Sequence, residues 1–304
     1  MKKKSAFSLI ELSIVILVIG ILITGVAQSS KLVREFKLST ARQFTKGSPI
    51  PTIPDMAFWL DSLAANTIAT GTSAPYIKVD DPTNGTAIGS WNDANPSTTS
   101  AKYSFTQTTL INQPLYKLNQ ISGLPALSFD GTDCLSISNF LLGDIISSDG
   151  NNEITVFVMQ KFTGTTTSNT SVWSWDNGLS DRFIIFAPWN NGILMDSGNY
   201  SNTRVSNAST LTNDFPSFYS VPEIITFRRS GTDARGWFNG ALIGSQVAGS
   251  LFSTNLPKSL EISGCSSPFI GAIGEIIVFS RALTNEERLT VERYLGKKWG
   301  VKVS

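Results

Sequence analysis

A long apolar stretch close to the amino end constrains this chain more than any other feature. Phe7 to Ala27 is a run of 21 residues in which Glu11 is the only charged side chain. As an α-helix, such a run would measure about 31 Å, which is close to the thickness of the hydrocarbon core of a bilayer. The stretch therefore predicts a helix that spans a membrane.

The residues on either side of this stretch allow an alternative. Lys2 to Lys4 could be the basic region of a secretory signal peptide. No small-residue cleavage site follows the apolar run, however, and the chain continues from Ala27 to Gly47 without a Gly or Pro. This continuation favours one helix over residues 7–46. Because five basic residues follow the run, the distribution of charge does not fix its orientation in the membrane.

The motif at positions 2 to 12 resembles the amino-terminal leader of type IV pilins and type II secretion pseudopilins. It reads Lys-Lys-Lys-Ser-Ala-Phe-Ser-Leu-Ile-Glu-Leu. In that family a membrane prepilin peptidase removes a short basic leader before a Phe, and the new amino terminus is methylated. The resemblance implies a leader of residues 1–6, cleavage between Ala6 and Phe7, and Glu11 as the fifth mature residue. Ala6 departs from the family, in which Gly usually precedes the cut.

The resemblance also implies a role for the acid inside the span. An unpaired carboxylate in hydrocarbon costs about 2.5 kcal/mol or more, so Glu11 needs a partner. The methylated amine of Phe7 on a neighbouring pilin or pseudopilin subunit would provide one and would set the register of helices in a filament. The alternative is a carboxylate that snorkels to the membrane interface. The resemblance implies a location in the inner membrane, as a single-pass protein with its C-terminal domain in the periplasm, and then in the pilus or pseudopilus or at the cell surface.

The composition of the chain excludes several kinds of catalytic site, metal site and partner. The absence of histidine excludes Ser-His-Asp and Cys-His catalysis, and two cysteines cannot build a four-thiolate zinc site. A net charge of +1 without a long basic run predicts no nucleic acid partner. With 41% hydrophobic residues, the chain can bury enough apolar surface to fold.

Proline and the β-type patterns that follow it divide the chain into segments. Three prolines in residues 47–55 end the helix and predict a semi-rigid linker. From Met56 onward, short apolar strands alternate with turns, and the predicted domain covers 56–304. Asn239-Gly240 predicts a tight hairpin because both turn positions need positive φ. The strand segments are Ala126–Asp130, Ile154–Met159, Glu223–Arg228 and Ile273–Phe279.

One helix closes the predicted domain. Thr284 and Glu287 have the spacing of a capping box, and Gly300 can end the helix. Lys297 and Lys298 suit its negative C-terminal end. The face that should pack on the sheet carries Val291, Tyr294, Leu295 and Trp299.

These pieces together resemble the concanavalin A-like jelly rolls of the laminin G-like group. The matching segments are Ala57–Ser62, Gly123–Asp133, Trp237–Gly240, Gly274–Leu283 and Lys298–Gly300. The implied fold class is mainly β, in which a transmembrane pilin-type helix precedes a β-sandwich (jelly roll) with a short C-terminal helix. In the family fold, Cys134 and Cys265 lie beside neighbouring segments. They could form a disulfide in an exported domain or remain two buried thiols.

Two kinds of ligand site are possible in the predicted domain of residues 56–304, which is called the head. Asp130 and Asp133 could contribute oxygens to calcium, as in some relatives, and no other cofactor is expected; the alternative is an Asx-type turn. Trp173, Trp175 and Trp189 could form platforms for sugar rings or could pack in the core.

Together, the two resemblances imply a minor pilin or pseudopilin with a head for adhesion or for recognition of a surface glycan or protein. A purely structural pseudopilus component without a ligand is the main alternative. A carbohydrate-active enzyme is a third. No Glu-x-Asp-x-x-Glu strand is present to supply the carboxylate pair that glycosidases on this fold use, so the sequence predicts no enzyme.

Overall fold

The computed structural model describes residues 9–96, 103–147, 149–164, 169–176, 182–189, 192–198, 204–206, 220–247 and 256–304. A long helix, α1 (Leu9–Lys46), opens the described chain, as predicted. Among these residues, no helix combines the length and the mean hydropathy that a membrane crossing requires.

The head consists of two antiparallel sheets. The first contains β1 (Met56–Asp61), β4 (Thr86–Ala87), β7 (Leu115–Ile121), β8 (Leu124–Asp130), β10 (Ile154–Phe162), β15 (Glu223–Ser230), β16 (Asp233–Phe238), β17 (Ala241–Val247) and β19 (Ile270–Phe279). The second contains β2 (Ile68–Thr70), β3 (Ile77–Lys78), β5 (Ser90–Asn92), β6 (Ser104–Thr106), β9 (Leu135–Leu141), β11 (Ser171–Asp176), β12 (Arg182–Trp189), β13 (Gly192–Gly198), β14 (Arg204–Ser206) and β18 (Pro257–Ile262).

Strand order is non-sequential in both sheets. The first sheet runs β17-β16-β15-β10-β19-β8-β7-β4, and β1 also pairs with β19. The second runs β14-β13-β12-β11-β18-β9-β6-β5-β2-β3. Neighbours such as β10 and β19 are far apart in sequence, so the sandwich depends on long-range pairing.

Two apolar layers explain why the central strands are apolar on both faces. Val156 and Val158 of β10 point between the sheets into the main core. Phe157 and Met159, on the opposite face, pack under the C-terminal helix α2 (Asn285–Trp299). The continuous apolar run in β10 is therefore that of a strand buried on both sides.

The local signals in the sequence match the structure closely. Asn239 and Gly240 have φ values of 50° and 88° between β16 and β17, as the hairpin requires. Thr284 and Glu287 form both hydrogen bonds of the capping box, and Gly300 ends α2 in the left-handed conformation. The four predicted packing residues of α2 are buried.

The end of α1 and the following segment lie against the head. Ala41 is buried beside α2, and the Arg42 side chain donates to the Leu63 carbonyl at 2.8 Å and to the Asp81 carboxylate at 2.7 Å. The Pro-rich segment contains a short 3₁₀ helix, Ile50–Thr52, whose Ile50 is fully buried. The stem, which is the part of α1 nearest the head, thus meets the head through specific contacts.

Candidate functional site

A groove of about 650 Å³ lies on the outer face of the second sheet. It crosses β12, β11 and β18, which are adjacent strands. Phe183 and Ile185 of β12 fill the core, so the alternate residues of this strand face outward into the groove. The described lining residues are Asn169, Ser171, Ser174, Asp176, Arg182, Ile184, Phe186, Trp189, Lys258, Ser259, Glu261, Ser266 and Ser267.

One wall of the groove is apolar and aromatic. Trp189 is partly exposed and packs edge-on against Phe186, with ring centroids 4.7 Å apart. Ile184, Phe186 and Leu194 form a small cluster beneath it that is separate from the main core. The guanidinium carbon of Arg204 lies 5.7 Å from the centre of the Trp189 ring, a cation–π distance. The indole is therefore fixed while part of its surface stays accessible.

A buried ion-pair cluster supports this wall. Asp196 of β13 is completely buried and forms salt bridges with Arg182 of β12 and Arg204 of β14. Arg204 donates from Nε at 2.8 Å and from Nη2 at 3.1 Å. Because one carboxylate holds two guanidinium groups from the strands on either side, the three strand ends are tied together.

The opposite wall is a hydroxyl-rich turn that follows β18. The backbone N–H of Ser171 donates to the Ser267 carbonyl at 2.8 Å, which joins this turn to β11. The backbone N–H of Cys265 donates to the Glu261 carboxylate at 2.8 Å. Burial raises the pKa of Glu261, and the nearby Asp176 raises it further, against that hydrogen bond.

The two cysteines secure the same turn. Cys134, next to β9, and Cys265 form a disulfide with a Cα–Cα distance of 5.3 Å. The disulfide that the sequence left open is therefore present, and it holds the groove wall to the neighbouring strand.

The chemistry of the groove suits a ligand rich in hydroxyl groups. Five serines and an asparagine supply small donors and acceptors, and Trp189 supplies an apolar ring face. Among the described lining residues, two basic side chains balance two acidic ones, so this part of the lining has no excess of either charge.

Two of the three predicted ligand aromatics are placed elsewhere, and that prediction is wrong for them. Trp173 and Trp175 are completely buried in the main core. Trp173 stacks on Phe58 at a centroid distance of 6.1 Å and packs against Phe183 at 5.5 Å. As alternate residues they share a strand face, but it is the inner one. Only Trp189 of the three lines the groove.

The predicted calcium ligands form a turn. Asp130 accepts hydrogen bonds from the backbone N–H and the hydroxyl of Thr132, at 2.9 and 2.7 Å. Asp133 accepts from the backbone N–H of Asp130 at 2.9 Å, and burial raises the pKa of Asp133 to about 7. Within the described residues, no group of three or more metal-ligating side chains is found. The geometry is that of the Asx-type alternative, and calcium binding remains a prediction.

The residues predicted for processing and assembly lie near the amino end of the chain. Ala6 and Phe7 lie outside the described residues, and so does the side chain of Glu11. Along α1, the described apolar side chains are largely exposed: Leu9 is 85% and Ile23 is 64% exposed.

Comparisons with known proteins find matches for both the amino-terminal segment and the head. Residues 1–27 match the family described as the prokaryotic N-terminal methylation motif. No curated protein matches the chain.

Solved structures resemble the head. The binding domain of botulinum neurotoxin DC, in complex with rat synaptotagmin II, has a TM-score of 0.51 and 12% identity over 81% of this chain and 52% of that one. The ligand binding domain of botulinum neurotoxin serotype D, in complex with N-acetylneuraminic acid, has a TM-score of 0.50 and 12% identity over 84% of this chain and 56% of that one. CBM40 of the Ruminococcus gnavus IT-sialidase, bound to α2,6 sialyllactose, has a TM-score of 0.41 and 13% identity over 55% of this chain and 95% of that one.

This chain spans about half the length of the two toxin domains, and identity this low shows the fold alone. The predicted fold class is confirmed: a mainly β sandwich with a C-terminal helix follows a helix that carries a prepilin-type methylation motif.

Sequence reasoning missed the ion pairs of the groove. Arg182, Asp196 and Arg204 are scattered through polar, turn-rich sequence, and only the pairing of β12, β13 and β14 brings them together. The alternation of Arg182, Ile184 and Phe186 was the one available signal, and it does not reveal which strand lies next to β12.

Proposed function

We propose that this protein is a minor pilin or pseudopilin subunit whose helix α1 enters a filament and whose head recognises a glycan. The observation that carries the assembly role is the exposure of apolar side chains along α1, combined with the methylation motif. A continuous apolar surface of this kind is stable only against lipid or against other apolar helices.

The proposed assembly begins in the inner membrane, with the head in the periplasm. Prepilin peptidase cleaves between Ala6 and Phe7, and the new amine is methylated. In the filament, this amine pairs with the Glu11 carboxylate of an adjacent subunit, because an isolated carboxylate among apolar helices is costly.

Amino-terminal sequencing of the mature protein tests processing, and the expected first residue is methylated Phe7. Glu11→Ala should leave processing intact and reduce incorporation into filaments. Glu35→Ala is the matched control, since Glu35 lies on the same helix with an exposed side chain. A mature protein that retains Met1, or normal incorporation of the Glu11 variant, would contradict this proposal.

For the head, we propose that a glycan binds in the groove beside Trp189. The fixed indole, the adjacent Arg204 and the serine-lined floor support this role. The balance of charge among the described lining residues favours a neutral sugar over an acidic one.

A panel of neutral and N-acetylneuraminic acid-terminated oligosaccharides, with and without calcium, tests recognition by the full-length protein. Trp189→Ala should abolish binding, whereas Tyr76→Ala, which removes a partly exposed aromatic ring elsewhere, should not. No binding across the panel would favour the structural pseudopilus component instead. Hydrolysis of a glycan would revive the enzyme alternative.

A further inference from the structure

Three ionisable side chains meet in the layer between the first sheet and α2. The Lys298 Nζ lies 2.7 Å from Asp61 Oδ2 and 2.7 Å from Glu275 Oε2. All three side chains are completely buried. Two acids and one base that were all charged would leave a net negative charge in an apolar layer, which is strongly unfavourable.

Strand pairing places the two acids side by side. Asp61 of β1 and Glu275 of β19 are direct partners in the antiparallel ladder, so their side chains share one face of the sheet. Lys298, in the last turn of α2, approaches this face from above. The fold thus sets an amine between two carboxyl groups that are 237 and 23 residues away in sequence.

The oxygens of Glu275 are held by several donors. Oε1 accepts from the Trp59 indole at 2.7 Å and from the Tyr294 hydroxyl at 2.8 Å. Oε2 accepts from the Trp299 indole at 2.8 Å as well as from Lys298. The loss of either oxygen would leave a buried donor without a partner, which is costly.

The Asp61 oxygen that faces Lys298 is less restrained by its hydrogen-bond donors than the oxygens of Glu275 are. Its Oδ1 accepts from the Leu63 backbone N–H at 2.9 Å. Its Oδ2, the oxygen next to Lys298, accepts from the hydroxyl of Thr45, a residue of α1, at 2.9 Å. A hydroxyl can rotate to another acceptor, so Oδ2 can leave with less disruption than an oxygen of Glu275.

Within the triad of Lys298, Asp61 and Glu275, burial favours a carboxyl group in its neutral, protonated form. Burial is the main cause that raises the pKa of Glu275, while Lys298 opposes it. One proton shared among two carboxyl groups removes the net charge. Proton transfer across the 2.7 Å contacts can then produce a neutral amine beside a neutral carboxyl group, the pair that acyl transfer needs.

We propose that Lys298 and Asp61 condense to an intramolecular isopeptide bond, with Glu275 as the proton-transferring residue. The Nζ lone pair attacks Asp61 Cγ and forms a C–N bond. Glu275 accepts a proton from Nζ and returns it to Oδ2, the C–O bond breaks, and water leaves. Overall, an ammonium and a carboxylate become an amide and one water molecule, so no oxidant or other reactant is required.

Position and burial both favour this step. Fixed contact between nucleophile and acyl group replaces a bimolecular encounter, which is one of the largest sources of rate enhancement. The product removes two buried charges and leaves a neutral amide. It would join β1, which directly follows the stem and linker, to the last helix of the head.

Mass spectrometry of the full-length mature protein, purified in detergent and reduced to open the disulfide, tests the proposal directly. The expected mass is one water molecule lower than the mass calculated for the chain from its observed first residue, with any amino-terminal methyl group included. A succinimide at Asp130-Gly131 would give the same loss, so a peptide map must locate it. Trypsin should release a branched peptide in which residues 47–78 are joined through Asp61 to residues 298–302.

Variants separate the covalent bond from an ion pair. Glu275→Gln should restore the full mass and permit tryptic cleavage after residue 298. Lys297→Arg, a change at the exposed neighbouring lysine, should retain the branched peptide. Cleavage after Lys298 in the wild-type protein, with an unmodified Asp61 peptide, would overturn the proposal whatever the variants do. A branch at Glu275 would overturn the assignment of Asp61.

Discussion

The disulfide between Cys134 and Cys265 closes a loop of 131 residues, about half of the head. A cross-link of this span restricts the unfolded chain, and the loop-closure relation for that length yields about 5 kcal/mol at 25 °C. Typical domains have a free energy of unfolding of about 5–15 kcal/mol in total, so removal of this bond should take away a large part of the stability of the head. Cys265 is exposed, which gives a reductant access to the bond.

Guanidinium unfolding of the full-length protein in detergent, followed by tryptophan fluorescence, measures the effect. All seven tryptophans lie between residues 59 and 299, so the signal reports on the head. The reduced protein should lose about 5 kcal/mol, which corresponds to a fall in Tm of about 10–20 °C for a domain of this size. The double variant Cys134→Ser/Cys265→Ser should match the reduced wild type and should not respond to reductant.

The predicted difference in stability between the oxidised and reduced proteins can be refuted directly. If the oxidised and reduced proteins unfold at the same denaturant concentration, the bond does not restrict the unfolded state as argued. A weaker glycan interaction in the reduced protein, with little change in stability, would instead show that the bond acts mainly on the turn at residues 263–267.

Other perturbations have smaller or more local effects. Thr284→Ala removes the N-cap of α2 and should cost about 1 kcal/mol in denaturant unfolding. Trp173→Ala should cost about 3–5 kcal/mol because it empties a core site, whereas the Trp189 variant should lose far less. Asp133 keeps its proton in the folded state up to about pH 7 but loses it near 3.8 when unfolded, so stability should fall as pH rises between these values. Asp133→Asn should flatten this part of the stability curve, and an unchanged profile would exclude burial of Asp133 as its cause.

The elements that follow from short-range chemistry could be predicted well. The helix predicted over 7–46 is seen from Leu9 to Lys46 as α1, and the apolar run with its uninterrupted continuation is sufficient evidence for it. The turn at Asn239-Gly240 and the capping box at Thr284 depend on residues within four positions of each other. Such interactions are decided locally, so no knowledge of the fold is needed to identify them.

The candidate site was much harder to predict. Trp189 was identified, but Trp173 and Trp175 were considered beside it on the same evidence. An alternating pattern shows that two residues share a face, and it does not show which face is covered by the second sheet. Burial of the two core indoles therefore became clear only from the packing of the sheets.

The chain's own order of residues determined the two-part organisation, the helical stem with its methylation motif, and the β-rich character of the head, because these depend on composition and on neighbours in sequence. Tertiary structure alone decided the partners of charged side chains. The sequence places Lys298 at the negative C-terminal end of a helix, and the structure buries it between Asp61 and Glu275. Strand order brings together residues that are hundreds of positions apart, and no local pattern encodes that proximity.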